Sequence, residues 1–227
     1  EIRLSLVGSE MCIRDRLIPV VVIFIRENMN TRVRGRKDLD DLSVPFIGEI
    51  PLAICGKKKV KSHEAHTIVV KEGSRDIMNE AFRVLRTNLE FMIGKDRSSN
   101  VIVITSFNPG SGKSFLTMNI AMSLAIKNKK VLVIDGDLRH ASASAYIHSP
   151  EVGLSNYLGG QVDELSDIIV TDKQHPSFSF IPVGTIPPNP TELLFNDRLQ
   201  DAIHTLKQQY DVVLIDLSLI HISEPTR

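Results

Sequence analysis

The stretch Val101-Ile102-Val103-Ile104-Thr105-Ser106-Phe107-Asn108-Pro109-Gly110-Ser111-Gly112-Lys113-Ser114 constrains this chain most. A β-branched apolar run stops at a Pro/Gly turn, and Gly-Lys-Ser then opens Phe115-Leu116-Thr117-Met118-Asn119-Ile120-Ala121. That order reads strand, loop, helix. Gly110 and Gly112 let the backbone wrap closely around an anion, and the N–H groups at the helix start point at it. Lys113 places a charge where β- and γ-phosphates lie, and the Ser114 hydroxyl suits Mg²⁺. Asn108, Pro109, Gly110, Ser111, Gly112, Lys113, Ser114 and Phe115 are the expected nucleotide-binding residues. The strict P-loop pattern asks for Gly six positions before the Lys. Phe107 stands there, so the pattern fails by one residue while its mechanics survive.

A second apolar run, Val131-Leu132-Val133-Ile134, leads into Asp135-Gly136-Asp137-Leu138-Arg139. Such a run between helices suits a parallel strand buried on both faces. Ligands of parallel α/β sheets bind beyond the carboxyl ends of the strands, so Asp135 and Asp137 are expected to face the Gly-rich loop. Carboxylates there organise Mg²⁺ through water and accept a proton from an attacking hydroxyl. Phe178 to Val183 reads as a further strand, followed by Gly184-Thr185-Ile186-Pro187-Pro188-Asn189-Pro190. Thr191 then offers a cap for a helix expected to run to about Gln209. Asp211-Val212-Val213-Leu214-Ile215-Asp216 is a last buried strand ending in an acid, the Walker B form.

Upstream, residues 74–93 have helical periodicity, with Ile77, Ala81, Val84, Leu85, Asn88 and Leu89 near one face. Glu80, Arg83 and Arg86 are spaced by three and drift along a neighbouring face. Residues 17–25 form an apolar run followed by Arg26, Arg32, Arg34, Arg36 and Lys37. A spanning helix needs about 20 apolar residues. The run is therefore expected to be the end of a membrane helix, over residues 17–30, on its cytoplasmic side. Residues 31–73 then read as a juxtamembrane linker, with prolines and a lysine run, and with His63 and His66 as surface residues.

Formal net charge is zero and 5% of residues are aromatic, which argues against a nucleic-acid partner. Cys12 and Cys55 are far apart and lack metal-ligand spacing, as in a reduced compartment. Residues 217–227 read as the translation of a transposase sequencing adaptor, and residues 6–16 as its reverse complement in another frame. Residues 1–16 and 217–227 are accordingly expected to be read-through artefacts, outside fold reasoning.

Taken together, these residues resemble the bacterial tyrosine autokinases of capsule and exopolysaccharide synthesis, over about residues 17–216. Ser-Phe-Asn-Pro-Gly-Ser-Gly-Lys-Ser resembles their deviant Walker A, Asp135-Gly136-Asp137-Leu138-Arg139 their Walker A′, and Asp216 closes their Walker B. Glu80-x-x-Arg83-x-x-Arg86 resembles their E-x-x-R-x-x-R. Pro187-Pro188-Asn189-Pro190-Thr191-Glu192-Leu193-Leu194 matches a further segment, and residues 44–51 match the linker after the second membrane helix. The resemblance implies an α/β P-loop fold, mostly parallel, with helices on both faces. Residues 74–216 would form an incomplete kinase domain, cut off at the C-terminus before the tyrosine cluster. It implies ATP and Mg²⁺, with Lys113 on the phosphates and Ser114, Asp135 and Asp216 around the metal. Asp137 would be the base, with Asp135 able to exchange roles with it. It further implies rings packed through Glu80, Arg83 and Arg86, with a tyrosine tail phosphorylated in trans at an inner-membrane anchor. Polysaccharide polymerisation and export machinery and a cognate phosphatase are the implied partners. The alternatives are a partition or cell-division type ATPase switch, whose second lysine is replaced here by Asn108, and a nucleotide-binding chain-length regulator without kinase activity.

Overall fold

The structure is a computed structural model that describes residues 17–26, 29, 39, 43–51, 67–94, 100–106 and 108–218. Two units are separated at residues 46 and 47. In the first, residues 17–26 form helix α1, whose apolar side chains, among them Phe24 and Ile23, are exposed. At 1.5 Å per residue it is too short for a bilayer. Among the described residues no helix is long and apolar enough to cross a membrane. The basic residues 32–37, the lysine run, His63, His66, Cys12 and Cys55 lie outside the described residues.

The second unit is built on a five-stranded sheet: β1 (Val101–Ile104), β2 (Val131–Asp135), β3 (Val170–Thr171), β4 (Phe178–Ile181) and β5 (Val212–Asp216). The order is β1-β5-β2-β4-β3, parallel except for the β3–β4 pair. Alternation across the pleat sends Val131 and Val133 to one face of β2, and Leu132 and Ile134 to the other. Both faces are covered, which is why β2 is buried at every position.

Helices α2 (Ile77–Ile93) and α3 (Lys113–Ala125) cover the first face. The second is covered by α4 (Leu154–Leu158) and α6 (Asp197–Gln209), with α5 (Pro190–Leu194) packed alongside. Helix α3 is buried from Thr117 to Ala125 and has almost no polar stripe, as a helix enclosed on several sides must be.

Two expectations are corrected. Residues 74–93 do form a helix, capped at Asp76 by an Asn79 N–H, but its buried face is Phe82, Leu85, Arg86 and Leu89. Phe82 packs edge-on against Phe115 at 5.9 Å and sets the rotation of the helix. Ile77 and Val84, expected inside, are 77% and 50% exposed. The helix expected from Thr191 to Gln209 is two helices. Asn196 breaks it, its side chain accepting the Arg198 N–H as an N-cap, while Asn189 and Pro190 open the first. Part of the expected linker packs on this unit. Ile47 and Ile50 pack on the core, and the Ile47 carbonyl accepts from Asn88 Nδ2. The buried Asn119 accepts the N–H groups of Val69 and Val70.

Candidate active site

The register of the ladders places the site. Ile104 of β1 pairs with Asp216 of β5, and Asp216 pairs with Asp135 of β2. The three strands therefore end level, and the loops leaving them share one edge. Gly136 follows at once, its N–H donating to the Asp216 carbonyl at 2.9 Å. A Cβ there would sit 3.1 Å from that same oxygen, so the close approach of the two strand ends favours Gly.

The loop after β1 leads into α3 through Gly112, which has a left-handed φ of 93°. No side chain caps this helix, and its first-turn N–H groups are left for an anion. Asn108, Pro109, Gly110, Ser111 and Gly112 are exposed around the turn, with Lys113, Ser114 and Phe115 half-buried behind them. No atom beyond the neighbouring residues lies within 4 Å of a Cβ built on Gly110 or Gly112, so the cradle has open space. Beside it lies a cavity of about 690 Å³, lined by Ile50 and Pro51 of the docked linker, Met78 of α2 and Phe115 and Leu116 of α3.

Lys113 reaches across to the strand tips. Its Nζ lies 3.2 Å from Asp137 Oδ2 and 3.6 Å from Asp216 Oδ1. The carboxylates of Asp137 and Asp216 are almost wholly buried, at 3% and 0% exposed. Burial pushes the Asp216 carboxyl up, against the Ser114 hydroxyl and the Lys113 ammonium; Asp137 adds to the rise. Both Asp216 oxygens are buried without a hydrogen-bond partner. An orphaned carboxylate beside a lysine and a hydroxyl is a fit for a cation.

Asp135 ends β2 level with Asp216. Its Oδ1 accepts the Asp137 N–H, and its Oδ2 accepts both the N–H and the hydroxyl of Ser144 at 2.7 Å. Burial pushes this carboxyl up to about 7; the Ser144 hydroxyl and N–H oppose the rise, and Asp216 adds to it. With three internal donors on its oxygens, Asp135 also braces the loop that follows β2. Among the described residues no three His, Cys, Asp or Glu form a metal cage. The donors present suit an Mg²⁺ held by Ser114, Asp216, water and phosphate oxygens, the usual arrangement for that ion.

The expected interface triad also divides. Glu80 and Arg83 are exposed and paired at 2.6 Å. Steps of three lag a 3.6-residue turn, so the third member rotates onto the buried face. There Arg86 Nη1 donates to the Ser123 carbonyl and hydroxyl of α3. Sequence reasoning missed two residues of the site, Ser144 and His140. Ser144 lies nine positions beyond its partner Asp135, and no spacing rule flags it.

A phosphate cradle and buried acids at one edge of a doubly covered parallel sheet define a P-loop nucleotide-binding protein. A family model described as an AAA domain matches residues 99–220. The solved kinase domain of the Escherichia coli tyrosine kinase ETK superposes with a TM-score of 0.71 at 32% identity, covering 82% of this chain and 74% of that one. The BceF tyrosine kinase domain matches with a TM-score of 0.66 at 37% identity, over 77% of this chain and 71% of that one. A putative tyrosine-protein kinase, AmsA, of Erwinia amylovora is 30% identical over 212 residues, covering 88% of this chain. The chain belongs to the family of bacterial tyrosine kinases with this P-loop domain. It spans 29% of the length of AmsA.

Proposed function

We propose that this chain carries the phosphotransfer centre of an ATP-dependent tyrosine autokinase that regulates capsule or exopolysaccharide synthesis and export. The observation that supports it is the convergence of Lys113, Asp137 and the orphaned Asp216 at the mouth of the Gly-rich loop. The loop N–H groups and Lys113 hold the triphosphate. Ser114 and Asp216 would hold Mg²⁺, which would supply positive charge against the phosphates. Asp137 accepts the proton of the incoming tyrosine hydroxyl as that oxygen bonds to the γ-phosphorus and ADP leaves. Such transfer depends on positioning and electrostatics more than on covalent chemistry. The apolar cavity beside the loop takes the nucleoside end of ATP.

The acceptor comes from a neighbouring subunit, reaching the site within a ring. The outward face of α2 supports this reading: Ile77, Ala81 and Val84 line a surface groove with Glu80 and linker residues Glu49 to Pro51. Glu80 and Arg83 would trade their mutual pair for contacts across the interface, and Arg86 would anchor the helix that presents them. The membrane anchor, an inner-membrane location with this domain in the cytoplasm, the polysaccharide machinery and a cognate phosphatase are parts of the same proposal. A partition-type switch is disfavoured by Asn108, which stands where those ATPases carry a second lysine.

The test is autophosphorylation in the intact protein, with Lys113→Met beside it. Phosphotyrosine that disappears in the variant is the expected result. ATP turnover without phosphotyrosine would instead mark a switch, and neither activity a scaffold.

A further inference from the structure

The Asp137 carboxylate is held at both ends, and only the inner end belongs to the phosphate machinery. Oδ2 faces Lys113 at 3.2 Å. Oδ1 turns the other way, to the backbone N–H of His140 at 3.2 Å and the imidazole Nδ1 at 3.3 Å. The imidazole is 65% exposed, so it closes the solvent side of a carboxylate that is itself 3% exposed. We propose that His140 is a positioning residue for phosphotransfer, its Nδ1–H fixing the carboxylate plane of Asp137 against the pull of Lys113. The proposal rests on Asp137 being the base.

The physical need is specific. A carboxylate facing a lysine on one side rotates toward it, and the oxygen that must meet the acceptor hydroxyl swings out of reach. A base has to lie within hydrogen-bond distance of the proton it takes, so small rotations are costly. The backbone N–H of His140 supplies one restraint. The ring N–H supplies a second from a different direction, and two donors on one oxygen define its orientation where one leaves a hinge.

The geometry also says which nitrogen matters. Nδ1 sits at the δ position, which the amide nitrogen of Asn reproduces. The amide nitrogen of Gln reproduces the ε position instead. Tyrosine phosphorylation and ATP binding should therefore be compared in the intact protein for His140→Ala, His140→Asn and His140→Gln, with Asp137→Asn beside them. His140→Ala is expected to lower kcat about tenfold with KM for ATP changed by less than about twofold. His140→Asn is expected to restore most of that loss, and His140→Gln not to. Parental kcat in His140→Ala overturns the proposal. So does rescue by Gln and not by Asn, which would point to the outer nitrogen. If His140→Ala does not fold, the Asn and Gln variants decide between the same outcomes. Asp137→Asn at the parental rate overturns the base assignment itself. An impaired Asp137→Asn beside an unaffected His140→Ala overturns the His140 role alone.

Discussion

Asp135 and Asp216 pair across neighbouring strands, yet they have opposite surroundings. Asp135 accepts twice from Ser144 and once from the Asp137 N–H, whereas Asp216 has two buried oxygens without hydrogen-bond partners. The difference has a pH signature. The folded-state carboxyl of Asp135 is raised from the ordinary value to about 7 by burial, so folding favours its protonated form. Its contribution to stability is complete below pH ~4 and is lost as pH rises through about 7. Urea midpoints measured between pH 4 and 8 should fall on account of this group, and Asp135→Asn should flatten that slope. Ser144→Ala, which takes away a buried hydroxyl donor, should cost about 1–3 kcal/mol. The strand-tip acids were legible in sequence because apolar runs end in them and the carboxyl-end rule places them. How each is held was not legible, because the partner of Asp135 is Ser144, at the start of a short 3-10 helix (Ser144–Ile147). His140 escaped for a related reason: an isolated histidine three positions past an acid carries no signal until the turn is built.

Helix α2 shows how far periodicity goes. The pattern foretold a helix over nearly the right residues, and Leu85 and Leu89 are inside as expected. The rotation was misjudged because two apolar stripes run side by side, and only the Phe82–Phe115 contact decides which one turns inward. The same limit explains Arg86, whose charge argued for the surface while a carbonyl and a hydroxyl of α3 waited beneath. The docking of the linker was invisible too, since its anchors are single asparagines on helices far along the chain. Asn119 is the one to test. Asn119→Leu keeps the size and removes the acceptor of two N–H groups, with an expected loss of about 2–4 kcal/mol. Amide exchange at Val69 and Val70 should rise well above that of β2. At the linker's other end, Ile50→Asp puts a charge on the wall of the cavity beside the Gly-rich loop. It should weaken ATP binding more than it lowers the melting point, as nucleotide titration would show.

At the scale of the molecule, the sheet is well covered on both faces but not at its rim. Among the described residues β1 is hydrogen-bonded to β5 alone, and Val103 is 52% exposed. A parallel strand with one open side is a template for association. The chain by itself is expected to lose solubility on warming, and Val103→Lys should raise soluble yield at an unchanged melting point. The α/β class, the parallel order and the burial of β2 were all accessible from apolar runs alternating with helical segments. The β3 edge pair was not, because two residues are too few to carry a pattern.

The level ending of β1, β5 and β2 has a consequence for how the site comes into being. Asp216 is not delivered by a mobile flap; with Asp135 it is a paired rung of one ladder. A slip of a single rung would turn Asp216 to the opposite face, away from Lys113, and leave the strands otherwise content. Phosphate affinity is thus a gauge of correct strand alignment, and it should vanish in the same step in which the sheet comes apart, not before it.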